Sequence, residues 1–184
     1  YQVKPRSVLS SDTGYTKTGN AEIKDLFGSK YFDYPKPSTL ITHLVNIVSG
    51  ESSIILDFFS GSATTAEGIM KVNASDGGTR QFILIQFPEP LSEKKMGYKA
   101  GYKTISEIGK ERIRRAGEKI KAELRAKSTG QTTLDGSEST QSPDDLDIGF
   151  KVFKLDTSNI LAWQPNPDNL NQTLLDYVDN LDPT

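Results

Sequence analysis

The stretch that most constrains the fold of this chain is residues 54–70, where an apolar run leads through an acidic residue and a turn into a helical pattern. Ile54–Leu56 is the apolar run, as expected of a strand buried on both faces. Asp57 stands where that strand should end, Ser60–Ser62 makes a small-residue turn, and Thr64–Thr65 opens a helix. In doubly wound α/β folds this order brings a ligand's anionic group to a helix N-terminus, which carries free N–H groups and partial positive charge. The stretch therefore predicts the floor of a cofactor site.

The spacing of the turn argues against two nucleotide classes. A Walker loop needs Lys followed by Ser or Thr after its second Gly, and no Lys follows Gly61 until Lys71. A dinucleotide fingerprint needs three glycines, whereas only Gly61 lies in this turn and Ala63 occupies the place of a second. A strand-to-helix turn without any ligand is the remaining alternative, although Asp-Phe-Phe before a polar turn is poor core material.

The turn resembles the S-adenosylmethionine (SAM) motif of amino-group DNA methyltransferases, whose usual form is Asp-x-Phe-x-Gly-Ser-Gly-Thr-Thr. Ala63 departs from the motif at its central Gly, where the extra methyl group either tightens the turn or weakens binding. The resemblance implies SAM as the cofactor. The cofactor-binding residues that it implies in this stretch are Asp57, Phe58, Phe59, Gly61, Ser62, Thr64 and Thr65.

An extended Lys-Pro segment, Phe32–Pro37, precedes the turn and leads into a helix. It resembles the segment that packs beside the methionine end of SAM, and it stands directly before the cofactor motif, as in the permuted β-class enzymes. The resemblance implies that Phe32, Lys36 and Pro37 bind the cofactor. The alternative is that Lys36 is an ordinary loop cation.

A second buried strand is predicted within Arg80–Pro90. In SAM-binding folds the acid at the end of this strand commonly binds the ribose hydroxyls. The corresponding position here is Gln86, whose amide accepts one hydrogen bond and donates another, and Glu89 follows three residues later. Both remain candidates for the ribose.

The charge distribution suggests a DNA-facing surface. The net charge is −2, but residues 110–127 hold eight Lys or Arg against three Glu. Arg112, Arg114 and Arg115 are predicted to face DNA phosphates. The alternative is a solvated helix with i,i+4 ion pairs such as that of Glu111 with Arg115.

Composition narrows the class of protein further. The chain has no Cys and one His, which excludes disulfides and thiolate metal sites and makes a histidine-built one improbable. No stretch approaches the ~20 apolar residues of a membrane span, so a cytoplasmic protein is expected, and the family resemblance implies a bacterial one. The first residue is Tyr1 rather than Met, which suggests a piece of a longer protein.

The remaining elements predict half of a doubly wound sheet, an α/β, Rossmann-like SAM-dependent methyltransferase fold in part. Asn20 should cap a short helix over Ala21–Phe27, and Ser38 should cap the next helix. A capping box of Thr104 and Glu107 should open a long helix with Ile105, Ile108, Ile113, Ala116, Ile120 and Leu124 on its buried stripe. A third strand is expected over Gly149–Leu155. The expected divisions are a lead-in at 1–50, a cofactor-binding core at 51–127 and 148–156, a mobile polar loop at 128–147, and an acidic tail at 157–184.

Residues 12–180 as a whole resemble the C-terminal part of the methylation subunit of type III restriction-modification systems. The matching pieces, in order, are Gly14–Gly19, Glu22–Phe27, Phe32–Pro37, Asp57–Thr65, Gln81–Gln86, Ile108–Ala116 and Gly149–Asp156. Such subunits are β-class enzymes that methylate adenine N6 in DNA. The implied partners are double-stranded DNA, a restriction subunit of the same system and a second methylation subunit in a homodimer.

The chain departs from this family in one important respect, because it contains no Asp-Pro-Pro-Tyr. That motif holds the flipped base and accepts hydrogen bonds from its amino group. The expected function is therefore the SAM-binding part of a site-specific adenine-N6 DNA methyltransferase, inactive alone. The alternatives are a cytosine-N4 enzyme and a non-catalytic interaction module on a Rossmann-like scaffold.

Overall fold

Seven helices and strands are described in a computed structural model of the chain. It describes Leu9 and residues 13–130, 142–156 and 167–172. The elements are α1 (Thr16–Phe27), α2 (Ser38–Val48), β1 (Ile54–Asp57), α3 (Thr64–Asp76), β2 (Gln81–Leu84), α4 (Met96–Lys99) and α5 (Ile105–Gly130). The chain divides into two units, Tyr1–Gly149 and Phe150–Thr184, and all seven elements belong to the first.

Strands β1 and β2 form a parallel pair with α3 as the connection between them. Ile55 lies opposite Phe82, and both pack against a buried cluster of Val45, Ile69 and Val72 from α2 and α3. The prediction of a strand–helix–strand unit is confirmed, because the apolar run, the turn and the second apolar run fold in the predicted order.

The opposite face of the sheet is open. Ile54, Leu56 and Ile83 are 64%, 46% and 51% exposed. The prediction that Ile54–Leu56 is buried on both faces is therefore wrong. A parallel strand is buried on both sides only when helices cover both faces of its sheet. Among the described residues, helices cover one face.

Two helices begin differently from the prediction. Asn20 does not cap a helix, because α1 starts at Thr16. Gly28 ends α1, at φ 77° with its N–H donating to the Lys24 carbonyl. Ser38 is the first residue of α2 rather than its cap. Its N–H and hydroxyl both donate to the Glu22 carboxylate, at 2.9 and 2.7 Å, so a side chain from α1 caps α2.

Helix α5 follows the prediction at its start. Thr104 and Glu107 form the capping box, with N–H to side-chain oxygen distances of 3.3 and 3.4 Å. The predicted stripe is buried except for Ile105, which is half-buried. Gly117 lies so close to Ile148 that a Cβ would stand 2.8 Å from that side chain, which explains a Gly inside this helix.

The prediction for the last part of the chain is partly wrong. A mobile loop was expected at residues 128–147. Instead, α5 continues to Gly130, and Leu146 is buried, at 2% exposed. Residues 146–156 have no regular secondary structure, so the predicted third strand is absent there. A strand needs the N–H and C=O groups of a neighbour, and the described residues pair only β1 with β2. Residues 131–141 and most of the acidic tail lie outside the described residues.

A close contact between α1 and the Lys-Pro segment generates the first testable prediction. A Cβ at Gly19 would stand 2.2 Å from the Pro35 carbonyl oxygen, which is backbone and cannot rotate away. Gly19→Ala should therefore lower the free energy of unfolding by about 1–3 kcal/mol, despite the better helix propensity of Ala. Urea denaturation measures this loss.

The matched control for this substitution is Gly50→Ala, because only the Ser53 hydroxyl lies near that position, at 3.8 Å. It should change the stability by less than about 0.5 kcal/mol. An equal loss in the two variants would contradict the packing account.

Candidate cofactor site

The turn between β1 and α3 has two left-handed positions, separated by Ser62. Gly61 has φ 51° and Ala63 has φ 61°. The Ala63 N–H donates to the Ser60 carbonyl at 2.7 Å, and the Ser60 N–H donates to the Ile85 carbonyl at 3.2 Å. Left-handed backbone is unfavourable for a residue with a Cβ, so Ala63 requires support from its surroundings.

Asp57 closes the turn from the strand side. Its Oδ1 accepts a hydrogen bond from the Phe59 N–H at 3.1 Å, and its Oδ2 accepts one from the Thr65 hydroxyl at 2.5 Å. The carboxylate thus joins the end of β1 to the first turn of α3. Thr65 is 7% exposed, and its hydroxyl serves the turn itself.

Gln86 supports the turn from the second strand, and Glu89 does not contact it. The Gln86 Oε1 accepts a hydrogen bond from the Gly61 N–H at 2.7 Å, and its Nε2 donates to the Phe87 carbonyl at 3.0 Å. Glu89 is exposed, and its backbone carbonyl accepts from the Ile105 N–H at 3.0 Å. The structure therefore brings Gln86 to the predicted site and leaves Glu89 beside the start of α5.

The Lys-Pro segment also meets the turn. The Phe32 ring packs against Gly61, where an added Cβ would stand 3.4 Å from Cζ. The Thr64 hydroxyl donates to the Lys36 carbonyl at 3.2 Å. Pro37 is buried, whereas the Lys36 side chain is exposed. The structure thus gathers the segment and the turn at one place.

Two rings beside the turn face outward. Phe58 is 61% exposed and Phe59 is 92% exposed, and both directly follow the end of β1. Phe87, which follows β2, is 77% exposed. These rings extend the open apolar face of the sheet to the edge at which the turn lies.

Arg112 lies behind the turn and is 0% exposed. Its Nη1 donates to the Ser62 hydroxyl at 2.8 Å and to the Thr64 hydroxyl at 2.6 Å. Its Nε donates to Glu67 at 2.8 Å and its Nη2 to Glu22 at 3.2 Å. The prediction that Arg112 faces DNA phosphates is therefore wrong, because solvent does not reach its guanidinium and buried carboxylates neutralise it.

Lys71 and Ser38 complete this buried cluster. The Lys71 ammonium donates to Glu67 at 2.6 Å and to the Ser38 hydroxyl at 2.7 Å, and Ser38 donates in turn to Glu22. Sequence reasoning missed Glu22, Glu67 and Lys71. The spacing of Glu67 and Lys71 is that of an ordinary surface pair, and no local pattern reveals a partner 45 residues away.

The electrostatics of the cluster favour the ionised form of Glu67. Burial raises the pKa of its carboxyl, but attraction by Arg112 and Lys71, with hydrogen bonds from both, outweighs burial and holds the pKa below the ordinary 4.5. Two carboxylates thus face two cations in the cluster, and its formal charges balance.

Arg114 and Arg115 are exposed on α5, as a DNA-facing role requires. Arg115 is paired with Glu111 at 2.7 Å, donates to the Leu26 carbonyl at 3.1 Å and lies 4.9 Å above the Phe27 ring. The predicted i,i+4 ion pair of Glu111 with Arg115 is therefore present. Arg114 also contacts Glu111, at 3.5 Å. Binding of DNA by these two residues stays a prediction.

The described part of the chain shows neither a metal-binding cluster nor a membrane-spanning helix. Within the described ranges, no cluster of three or more His, Cys, Asp or Glu side chains is arranged to hold a metal ion. None of the helices described here is long and apolar enough to cross a membrane.

The buried cluster generates a prediction about acid stability. Because the Glu67 pKa is depressed by folding, its contribution to stability is present above the unfolded value near 4.5 and is lost as pH falls through the lower folded value. Glu67→Gln should remove this part of the acid dependence. At pH 7 it should also destabilise the chain by about 3 kcal/mol, since Arg112 loses a buried partner. Urea denaturation at several pH values measures both effects.

Glu111→Gln is the matched control for Glu67→Gln. Its carboxylate also pairs with an arginine on α5, but the two side chains are 25% and 41% exposed. The loss should stay below about 1 kcal/mol, because solvent screens the pair. A similar loss in both variants would refute the special role of the buried cluster.

Comparison with known proteins gives consistent matches. A model of the DNA methylase family matches residues 6–93. Over 154 residues (84% of the chain), the sequence is 39% identical to the Mod subunit of the type III restriction-modification enzyme StyLTI of Salmonella typhimurium strain LT2, of which it covers 21%. Over 150 residues (82% of the chain), it is 41% identical to the EcoPI Mod subunit of Escherichia phage P1, of which it covers 20%.

A further relative is named as a type II methyltransferase. Over 107 residues (58% of the chain), the sequence is 37% identical to the type II methyltransferase M.KpnI of Klebsiella pneumoniae, of which it covers 26%. The chain spans about a fifth of the length of the two Mod subunits. Residues 6–93 therefore match the DNA methylase family, and over most of its length the chain is similar to the Mod subunits of type III restriction-modification enzymes.

Proposed function

We propose that this chain is the SAM-binding part of a site-specific adenine-N6 DNA methyltransferase of a type III restriction-modification system. The observation that carries the proposal is the convergence of three separate segments on one turn. Asp57, Gln86 and the Lys-Pro segment all contact the β1–α3 turn, as a cofactor site requires. The parallel β1–α3–β2 unit would then be one part of a Rossmann-like sheet.

Each part of the site has a role in this proposal. The SAM carboxylate would bind at the N-terminus of α3, which has free N–H groups and partial positive charge. Gln86, or Glu89 three residues later in the chain, would bind the ribose hydroxyls. Phe58 and Phe59 would supply apolar surface for the adenine ring, which their exposure permits. Phe32, Lys36 and Pro37 would border the methionine end.

The transfer itself requires residues that this chain does not contain. A methyltransferase acting on a base must extrude the base and accept hydrogen bonds from its amino group. The sequence has no Asp-Pro-Pro-Tyr to do so, and we therefore expect the chain to bind SAM without transferring methyl. An upstream Asp-Pro-Pro-Tyr would indicate adenine, and Ser-Pro-Pro-Tyr or Ser-Pro-Pro-Trp the alternative cytosine-N4 target.

The proposed partners are double-stranded DNA, a restriction subunit and a second methylation subunit, acting in the bacterial cytoplasm. Exposure of Arg114 and Arg115 supports the first of these. The open apolar face of the sheet favours the second candidate function, an interaction module in which the α/β unit is only a scaffold. The two candidates differ in whether binding depends on the turn.

Calorimetry with SAM tests the proposed cofactor site. The chain should release heat on titration with SAM, and Asp57→Ala should weaken binding at least tenfold, because both hydrogen bonds that Asp57 accepts across the turn are lost, each contributing about 1 kcal/mol or more. Asp25→Asn is the matched control, since Asp25 is an exposed acid on α1 that pairs with Lys119. It should leave affinity unchanged.

The outcome that refutes the cofactor site is specific. If the parent chain, shown to be folded by circular dichroism, releases no heat with SAM, the proposed site is wrong. If SAM binds equally well to Asp57→Ala, the turn is not where it binds.

The salt dependence of DNA binding tests the arginine prediction. Log affinity falls as log salt concentration rises, and each phosphate contact makes this fall steeper by about 0.9. Arg114→Gln combined with Arg115→Gln should therefore make the fall shallower by about 2, measured by fluorescence anisotropy with a duplex. Lys17→Gln, an exposed cation on α1, serves as the control. An unchanged slope in the double variant would mean that neither arginine contacts DNA.

A further inference from the structure

The buried guanidinium of Arg112 donates hydrogen bonds to the turn on both sides of its left-handed residue, Ala63. Ala63 holds φ 61°, and its two neighbours, Ser62 and Thr64, each accept a hydrogen bond from the same Nη1 atom. Ser62 is 2% exposed and Thr64 is 6% exposed, so water does not compete for their hydroxyls. One cation therefore holds the turn at two points, one residue before Ala63 and one residue after it.

We propose that Arg112 is a positioning residue for the cofactor, acting through Ser62 and Thr64 to keep Ala63 left-handed and the first turn of α3 in its binding position. This inference rests on the proposed SAM site. Left-handed backbone is unfavourable for an L-residue, and such strain persists only where the surroundings impose it. The hydrogen bonds from Arg112 to Ser62 and Thr64 hold the two residues that flank Ala63.

The cation is itself held in place by the carboxylates behind it. Glu67 on α3 and Glu22 on α1 fix the Nε and Nη2 atoms at 2.8 and 3.2 Å, which leaves Nη1 directed at the turn. Glu67 lies in the first turn of α3, where an uncompensated buried carboxylate would oppose a bound anion. Arg112 and Lys71 neutralise it, and the N-terminus of α3 keeps its attraction for a SAM carboxylate.

The decisive variant removes the two hydroxyls and leaves the buried ion pairs intact. Ser62→Ala combined with Thr64→Val deletes both acceptors of Nη1 while Glu67 and Glu22 still pair with Arg112. It also deletes the hydrogen bond from the Thr64 hydroxyl to the Lys36 carbonyl, so Thr64→Val alone is measured beside it and should show a smaller effect. Adding Ala63→Gly to the double variant gives a rescue, because Gly adopts left-handed backbone without the Cβ strain. Glu111→Gln is the control on α5, since its carboxylate contacts Arg115 and Arg114 and not the turn.

The first measurement needs no ligand. Amide hydrogen exchange at residues 60–66 should be at least about tenfold faster in the double variant, the effect of losing hydrogen bonds to a charged group, and unchanged in Glu111→Gln. Exchange within α2 should keep its parent rate in both. Ala63→Gly should slow exchange in the double variant and change it little in the parent. Exchange at 60–66 that stays at the parent rate in the double variant overturns the positioning role.

The second measurement compares SAM with 5′-methylthioadenosine, which lacks the carboxylate and the amino group. In the double variant the affinity for SAM should fall about tenfold and that for 5′-methylthioadenosine less than about twofold, since only the carboxylate depends on the N-terminus of α3. Equal losses for both ligands overturn the inference, because a merely destabilised fold would weaken both alike.

The two measurements separate this inference from the proposed function. A parent chain that binds no SAM, together with faster exchange in the double variant, refutes the cofactor site and supports the role of Arg112 in holding the turn. A parent chain that binds SAM, together with unchanged exchange and affinity in the double variant, supports the cofactor site and refutes the role of Arg112.

Discussion

The ion pairs that Arg112 makes with Glu67 and Glu22 join three helices and the cofactor turn around a guanidinium that solvent does not reach. A buried charge must be paired and fully hydrogen-bonded, so removing any one member leaves the others uncompensated. The Lys71 ammonium and the Ser38 hydroxyl extend the cluster to the start of α2. The arrangement of the helices around the turn therefore depends on this one cluster, and the apolar contacts pack around it.

The turn illustrates how local strain and tertiary support go together. Two left-handed residues, Gly61 and Ala63, allow β1 to pass into α3 within a few residues. Gly61 adopts this backbone without penalty, whereas Ala63 does so between two hydroxyls held by Arg112. Asp57 and Gln86 fix the same turn from the two strands. The departure from the usual glycine pattern thus coincides with the buried hydrogen bonds that Arg112 donates to Ser62 and Thr64.

One face of the sheet is open, and the chain is much shorter than the Mod subunits to which it is similar. Parallel sheets in α/β proteins are covered on both faces, and here Ile54, Leu56 and Ile83 stay exposed on one. The chain spans about a fifth of the length of the Mod subunits that it resembles. A methyltransferase domain completed by further chain would cover this face, and the exposed rings of Phe58 and Phe59 would then border an enclosed site.

The sequence by itself determined the features that depend on neighbouring residues: the strand before Asp57, the turn at Gly61, the capping box of Thr104 and Glu107, and the buried stripe of α5. Only the tertiary structure decided that Arg112 is buried rather than facing DNA, that Glu22 caps α2, and that residues 146–156 form no strand. The physical reason is distance along the chain. Periodicity and capping act within a few residues, whereas the partners of a buried charge and of a strand lie tens of residues away.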